Sequence, residues 1–134
     1  MDAIQEFLAA QTFAVAGASR DRSKYGNKVF RALMASGRSV FPLNPIATEI
    51  ESQPAYASIE NLPVVPQSLS VVTPPAITRQ VIAQAIQAGV KNIWMQPGAE
   101  DQLASEMARQ AGLVVIDAGS CILVSLATEK RPRS

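Results

Sequence analysis

Histidine is absent from the 134-residue chain, and cysteine occurs once. Without imidazole, Ser-His-Asp and Cys-His catalysis are excluded, together with most transition-metal sites. The single thiol, Cys121, cannot form an internal disulfide. A zinc or iron–sulfur centre held by thiolates would need cysteines from other chains.

Aromatic residues make up 5% of the chain and charged residues 17%, and the net charge is +1. No apolar run approaches the ~20 residues that a membrane-spanning helix needs. Residues 1–6 hold two acids and no base, unlike a signal peptide. With few aromatic side chains for base stacking, nucleic-acid binding is not expected. The sequence therefore predicts a cytoplasmic protein with no membrane or nucleic-acid partner.

Short apolar runs alternate with stretches of helical periodicity along the chain. Five runs end at glycine, proline or small polar residues, as buried strands do: 12–16, 39–43, 69–72, 92–95 and 113–116. The pattern predicts an α/β fold: a single Rossmann-like three-layer domain over residues 1–127, with a mostly parallel sheet of about five strands. Residues 128–134 form a polar, basic C-terminal tail that we expect to fray.

Local signals add detail to this outline. Ser23 is positioned to cap the second helix, and Pro42 places its strand at or near a sheet edge. Residues 45–67 contain four prolines. We expect a loop there, with a short strand at 49–50 and a helical turn at 58–62.

Ligands of open parallel sheets bind beyond the carboxyl ends of the strands, where the strand order reverses. If the chain winds outward from its first strand and then returns, strand 69–72 lies beside strand 12–16. The loops that then meet are 17–25, 44–46, 73–76 and 96–99. All four are irregular and rich in glycine, proline or small polar residues, which predicts a site at this edge.

The first loop contains the residue types that hold phosphates. Gly17 allows a tight turn, and the amides near Ala18 and Ser19 lie at the positive end of the following helix. The residues predicted to contact ligand here are Gly17, Ala18, Ser19, Arg20, Arg22, Lys24 and Tyr25. The arginines and the lysine belong to a basic stretch, residues 20–38, with six bases against one acid, Asp21. A solvated helix face is the alternative explanation of that stretch.

Two common nucleotide signatures are missing from this loop. Ser19 stands where the G-x-G-x-x-G pattern of dinucleotide sites needs glycine, and Asn44 stands where a ribose-binding acid is expected. No P-loop motif occurs anywhere. The loop therefore suits a phosphorylated nucleotide, although it carries neither the dinucleotide motif nor the P-loop motif.

The later loops hold weaker signals. Thr73, Pro74 and Pro75 fix an extended backbone that either lines a ligand or simply ends a strand. Gln96 offers a polar contact beside Pro97 and Gly98. Trp94 is expected in the core. Cys121 is expected as a small buried apolar residue, with a ligand-adjacent thiol as the alternative.

Five segments in this order resemble the CoA-binding domain family, a Rossmann-type group similar to the N-terminal domain of the succinyl-CoA synthetase α chain. The stand-alone bacterial members are the most similar, and the likeness covers about residues 12–121. The segments are Val-Ala-Gly-Ala-Ser at 15–19, Pro-Leu-Asn-Pro at 42–45, Thr-Pro-Pro at 73–75, Ile-Trp-Met-Gln-Pro-Gly at 93–98 and Ala-Gly-Leu-Val-Val-Ile-Asp at 111–117.

The resemblance implies that the glycine turn holds the phosphates of CoA. It also implies that the adenosine side is lined by Asn44, Pro45, Thr73, Pro74 and Pro75, and that Gln96, Pro97 and Gly98 help to close the site. The family often continues Asn-Pro with lysine and glycine, whereas Ile46 and Ala47 follow here. One basic contact is therefore missing. Synthetase activity is excluded for this chain alone, because the phosphorylated histidine has no counterpart.

Three functions remain open from the sequence. The first is a small non-catalytic protein that binds CoA or an acyl-CoA. The second is an NAD(P)-dependent oxidoreductase of reduced size, although no acid–base pair is evident. The third is a ligand-free interaction module, for which the low charged fraction leaves neutral surface available for a homodimer.

Overall fold

The computed structural model describes residues 1–129. A 3₁₀ turn over Ile59–Asn61 lies in the proline-rich segment. The helices are α1 (Ala3–Leu8), α2 (Tyr25–Ala35), α3 (Pro75–Ala88), α4 (Gln102–Gln110) and α5 (Ile122–Ala127). The strands are β1 (Thr12–Ala16), β2 (Ser39–Leu43), β3 (Glu49–Ile50), β4 (Gln53–Pro54), β5 (Ser68–Val71), β6 (Asn92–Met95) and β7 (Val114–Ile116).

Five of the strands form one parallel sheet in the order β2-β1-β5-β6-β7. The chain moves outward from β1 to β2, and then returns to place β5 on the other side of β1. This reversal confirms the predicted switch point, and β2 is an edge strand, as Pro42 indicated. The two-stranded antiparallel hairpin β3–β4 lies in the long connection between β2 and β5.

Helices cover both faces of the sheet, so the predicted three-layer α/β fold is confirmed. On one face α3 and α4 bury apolar residues such as Leu69, Ile82 and Ile93. On the other face α1, α2 and α5 pack over Phe13 and Trp94 of the sheet, and α2 contributes Phe30 to the same cluster. Trp94 is fully buried, and its indole N–H donates to the Ser120 carbonyl at 2.9 Å, so the expected core position is confirmed.

Three local features differ from the sequence-based expectations. Ser23 does not cap α2: Lys24 is the N-cap, and the Ser23 hydroxyl donates to Asp21 instead. The pattern missed α5, because six largely apolar residues lack a helical stripe and a side-chain cap. It also missed β4, which pairs with the predicted strand at 49–50.

The basic stretch 20–38 does not stay together in space. Arg38 immediately precedes β2, at the amino ends of the strands, whereas the predicted site is at their carboxyl ends. Its side chain is 2% exposed. Its guanidinium donates to the Leu8 carbonyl and to both carboxylate oxygens of Glu129. Glu129 is therefore anchored, while the rest of the predicted frayed tail, 130–134, lies outside the described residues. Within residues 1–129, every helix is too short or too polar to cross a membrane.

Candidate functional site at the carboxyl edge of the sheet

The turn after β1 is built around two glycines. Gly17 has φ +89°, and a Cβ there would overlap the Val72 carbonyl at the end of β5. A Cβ at Gly26, in the first turn of α2, would overlap the Gly17 carbonyl. The turn, the helix and the neighbouring strand end therefore meet without room for a side chain. Gly17 was predicted to form this turn. The packing role of Gly26 was missed, because it depends on the close approach of two backbones.

This packing leaves several backbone amides free. Within the described residues, the amides of Ala18 and Ser19 have no acceptor. The same holds for the first three residues of α2, since its N-cap, Lys24, makes no side-chain capping bond. Free amides at the start of an 11-residue helix, next to a glycine turn, favour a bound anion through hydrogen bonds and the helix dipole.

The three basic residues of the loop differ in their partners. Arg20 and Lys24 are exposed and form no ion pair with any residue of the described part of the chain. Arg22 is 66% exposed, and its Nε lies 3.3 Å from Oε2 of Glu51 in the β3–β4 hairpin. The hydrogen bonds from the Ser23 side chain and backbone lower the pKa of Asp21, with a smaller contribution from the Lys24 charge. Positive charge from Arg20 and Lys24 thus remains available to a ligand.

Asn44 ties the loop after β2 to the glycine turn. Its Nδ2 donates to the Ala18 carbonyl at 2.9 Å, and its Oδ1 accepts from the amides of Ile46 and Ala47, both at 2.8 Å. Asn44 therefore holds the loop after β2 against the turn after β1, and Pro45 is exposed beside it. Ile46, where the resemblance implied a missing basic contact, is 89% exposed.

The segment Thr73, Pro74 and Pro75 connects β5 directly to α3. Pro74 is the N-cap and Pro75 the first helical residue, so the prolines fix both the end of the strand and the start of the helix. The Thr73 hydroxyl lies 2.7 Å from that of Thr78. The Gly17 turn packs on Val72 and Thr73, so this segment lies directly beside the turn where β1 and β5 end.

A polar cluster joins α2 to the ends of β6 and α5. The Tyr25 hydroxyl donates to Gln96 Oε1 at 3.1 Å and lies 2.6 Å from Cys121 Sγ. Gln96 Oε1 also accepts from the Ile122 amide, and its Nε2 donates to the Ser70 hydroxyl. Burial raises the pKa of Tyr25, and the contact with Cys121 raises it further, so the phenol stays neutral.

The cluster changes the interpretation of two predicted residues. Gln96 is fully buried and its amide makes hydrogen bonds inside the protein. Tyr25 connects it to the start of α2. Cys121 is only partly buried, and it lies against a predicted site residue. Pro97 and Gly98 are exposed after β6, and the Gly98 amide donates to Glu100.

Two clefts lie away from these residues. One, of about 560 Å³, is at the opposite edge of the sheet and is lined by residues such as Glu6, Gln67 and Lys91. Another, of about 430 Å³, runs along the edge strand β2. Neither gathers the loops that follow the strands, and the candidate site is defined by the convergence of amides and charges. Among residues 1–129, no group of His, Cys, Asp or Glu could hold a metal ion.

Comparisons with solved structures agree with this fold. A conserved hypothetical protein from Pyrococcus furiosus is 36% identical, with a TM-score of 0.80, over 86% of this chain and 98% of that one. The dinucleotide-forming acetyl-coenzyme A synthetase 1 of Ca. Korarchaeum cryptofilum is 27% identical, with a TM-score of 0.68, over 78% of this chain and 25% of that one.

A curated relative gives a similar picture. The α subunit of an ADP-forming acetate–CoA ligase II from Pyrococcus furiosus is 31% identical over 88 residues, which is 65% of this chain and 19% of the relative. The chain thus spans about a fifth of that subunit. The profile described as the CoA binding domain matches residues 11–127, nearly the whole chain. The resemblance stated from the sequence is confirmed, and the chain belongs to the CoA binding domain family.

Proposed function

We propose that this protein binds CoA or an acyl-CoA, without acting on it chemically, at the carboxyl edge of the sheet. The observation that carries the proposal is the convergence of amides and cations that have no partner among residues 1–129. The amides after Gly17 and at the start of α2 lie beside Arg20 and Lys24. CoA carries a pyrophosphate and a 3′-phosphate, so it matches a site of this charge. Membership in the CoA binding domain family supports the same ligand class.

The chemistry of the neighbouring side chains supports binding over catalysis. Tyr25 has a raised pKa, so it is a poor base at neutral pH. Gln96 is neutral, and both its amide oxygen and its amide nitrogen take part in internal hydrogen bonds. The relative with a ligase name is about five times longer than the matched segment, so its activity is not carried over to this chain.

Titration calorimetry with CoA tests the proposal, with dephospho-CoA, NAD⁺, NADP⁺ and ATP as parallel ligands. We expect saturable binding that is tightest for CoA or an acyl-CoA. Arg20→Ala combined with Lys24→Ala should weaken CoA binding, most strongly at low ionic strength, because exposed charges are screened by salt.

Lys91→Ala provides a control, since this exposed lysine precedes β6 at the opposite edge of the sheet. It should leave the affinity unchanged. An unaltered affinity in the double variant, or tighter binding of NADP⁺ than of CoA, would contradict the proposal.

A further inference from the structure

Glu51 brings a negative charge to the loop after β1 from a distant part of the sequence. Its Oε2 lies 3.3 Å from Nε of Arg22 and accepts a 3.1 Å hydrogen bond from Nδ2 of Asn27. The side chain is only 20% exposed. Glu51 is thus the one acidic residue, among those the structure describes, that forms an ion pair with the basic loop.

Asn27 connects this carboxylate to the glycine turn. It lies in the first turn of α2, is fully buried, and also donates through Nδ2 to the Ser19 carbonyl at 2.8 Å. Asn27 therefore links the Glu51 carboxylate to the turn that carries the amides of Ala18 and Ser19. The carboxylate lies where the positive end of the helix favours an anion.

The β3–β4 hairpin holds Glu51 firmly in this position. Ile50, immediately before it, is 1% exposed and packs in the core with α2. Glu51 and Ser52 form the hairpin turn with φ of 49° and 64°, a left-handed conformation that non-glycine residues adopt at a cost. The anchored strand and the turn present the carboxylate to Arg22 without a long flexible segment.

The ion pair changes which cations a ligand meets first. Arg22 is compensated by Glu51, whereas Arg20 and Lys24 have no ion-pair partner among the residues that the structure describes. The outer nitrogens of Arg22, Nη1 and Nη2, donate to no described residue, so the guanidinium can still turn toward a phosphate. A phosphate that approaches this guanidinium also approaches the Glu51 carboxylate and is repelled by it.

We infer that the Glu51 carboxylate competes with the ligand's phosphates for Arg22 and for the positive start of α2. This inference rests on the proposed function and adds a residue that limits its affinity. A ligand with one phosphate gains little by taking the place of the carboxylate. A ligand with several phosphates can engage Arg20, Lys24 and the free amides at the same time, so Glu51 favours polyphosphorylated ligands over single phosphates.

Calorimetry of Glu51→Gln with CoA tests this role, because the amide keeps the shape and one acceptor but removes the charge. We expect CoA to bind about two- to fivefold more tightly than to the unmodified protein at low ionic strength, the range expected for a partly exposed ion pair. The gain should shrink at high salt. Inorganic phosphate should compete with CoA better in this variant than in the unmodified protein.

Glu49→Gln is the matched control, because it makes the same change of net charge in the same hairpin at an exposed residue that has no ion pair among residues 1–129. Its CoA affinity should stay within twofold. The gain from Glu51→Gln should also fall in an Arg22→Ala background, since no guanidinium is then released. Thermal unfolding of each variant verifies that the fold is kept.

Equal or weaker CoA binding by Glu51→Gln, with the fold intact, would overturn the inference while leaving the proposed function standing. An equal gain from Glu49→Gln would overturn it too, since overall charge would then explain the effect. If neither the unmodified protein nor Glu51→Gln binds CoA, the proposed function itself fails.

Discussion

Gly26 lies directly against the carbonyl group of Gly17, so closely that a single methyl group at Gly26 would overlap it. This contact sets the distance between the start of α2 and the turn after β1. The free amides of the candidate site come from both elements, so their spacing depends on it.

Gly26→Ala should therefore disturb both stability and ligand binding. The added methyl meets backbone atoms that cannot rotate away, and overpacking of this kind costs about 1–3 kcal/mol. Urea unfolding and CoA calorimetry measure the two effects. Gly89→Ala is the control: its φ is +94°, but no atom lies within 4 Å of the added Cβ. It should lower stability and leave CoA affinity unchanged, and a Gly26→Ala protein with normal affinity would argue against the role of this contact.

Cys121 should report ligand occupancy. Its Sγ lies 2.6 Å from the hydroxyl of Tyr25, a residue of the predicted site, and it is the only cysteine. Saturating CoA should slow the alkylation of Cys121 by iodoacetamide, because a ligand beside Tyr25 covers the approach to the thiol. Mass spectrometry over time gives the rate directly. The same rate with and without saturating CoA would place the ligand away from Tyr25 and Cys121.

The ion pair between Arg38 and Glu129 should stabilise the fold without affecting the site. The Arg38 side chain is 2% exposed, and Glu129→Gln removes the charge that compensates its guanidinium while leaving a neutral amide oxygen as an acceptor. We expect Glu129→Gln to lower the free energy of unfolding by about 1–3 kcal/mol, below the full cost of breaking a buried pair, since Glu129 is partly exposed. Glu60→Gln, at an exposed acid in the 3₁₀ turn, should change it by less than about 0.5 kcal/mol. A large loss of CoA affinity in Glu129→Gln would contradict the separation of the two edges.

Acid should weaken the protein partly through Asp101 and Asp117. Hydrogen bonds from Arg79 and Arg109 respectively are the largest of the effects that lower the pKa of these two carboxyls. A carboxyl with a lowered folded-state pKa stabilises the protein above its unfolded pKa of about 4, and this contribution is lost as the pH falls through the folded value. The melting temperature should thus drop below about pH 4. Asp117→Asn should make that drop shallower, and an unchanged pH profile in this variant would exclude the Arg109 pair as a cause.

The sequence was sufficient for features that depend on local pattern. Apolar runs ending at Gly17, Asn44 and Thr73 located the strand ends, and the direction of winding then brought those loops to one edge. Features that depend on long-range pairing could not be predicted. Glu51 contacts Arg22 and Asn27 only because the hairpin folds back against α2. Arg38 lies far from the other bases of the stretch because it stands at the start of β2, at the opposite ends of the strands. The helix α5 has too few polar residues for its periodicity to show.

The hydrogen bonds of Asn44 have a thermodynamic consequence for any ligand of this crevice. They join groups of the protein to each other and hold the loop after β2 against the glycine turn. A ligand that binds beside loops already held in place loses little conformational entropy of the protein, so more of its contact energy appears as affinity. Association should then occur in one step, at a rate set by diffusion and charge rather than by loop closure.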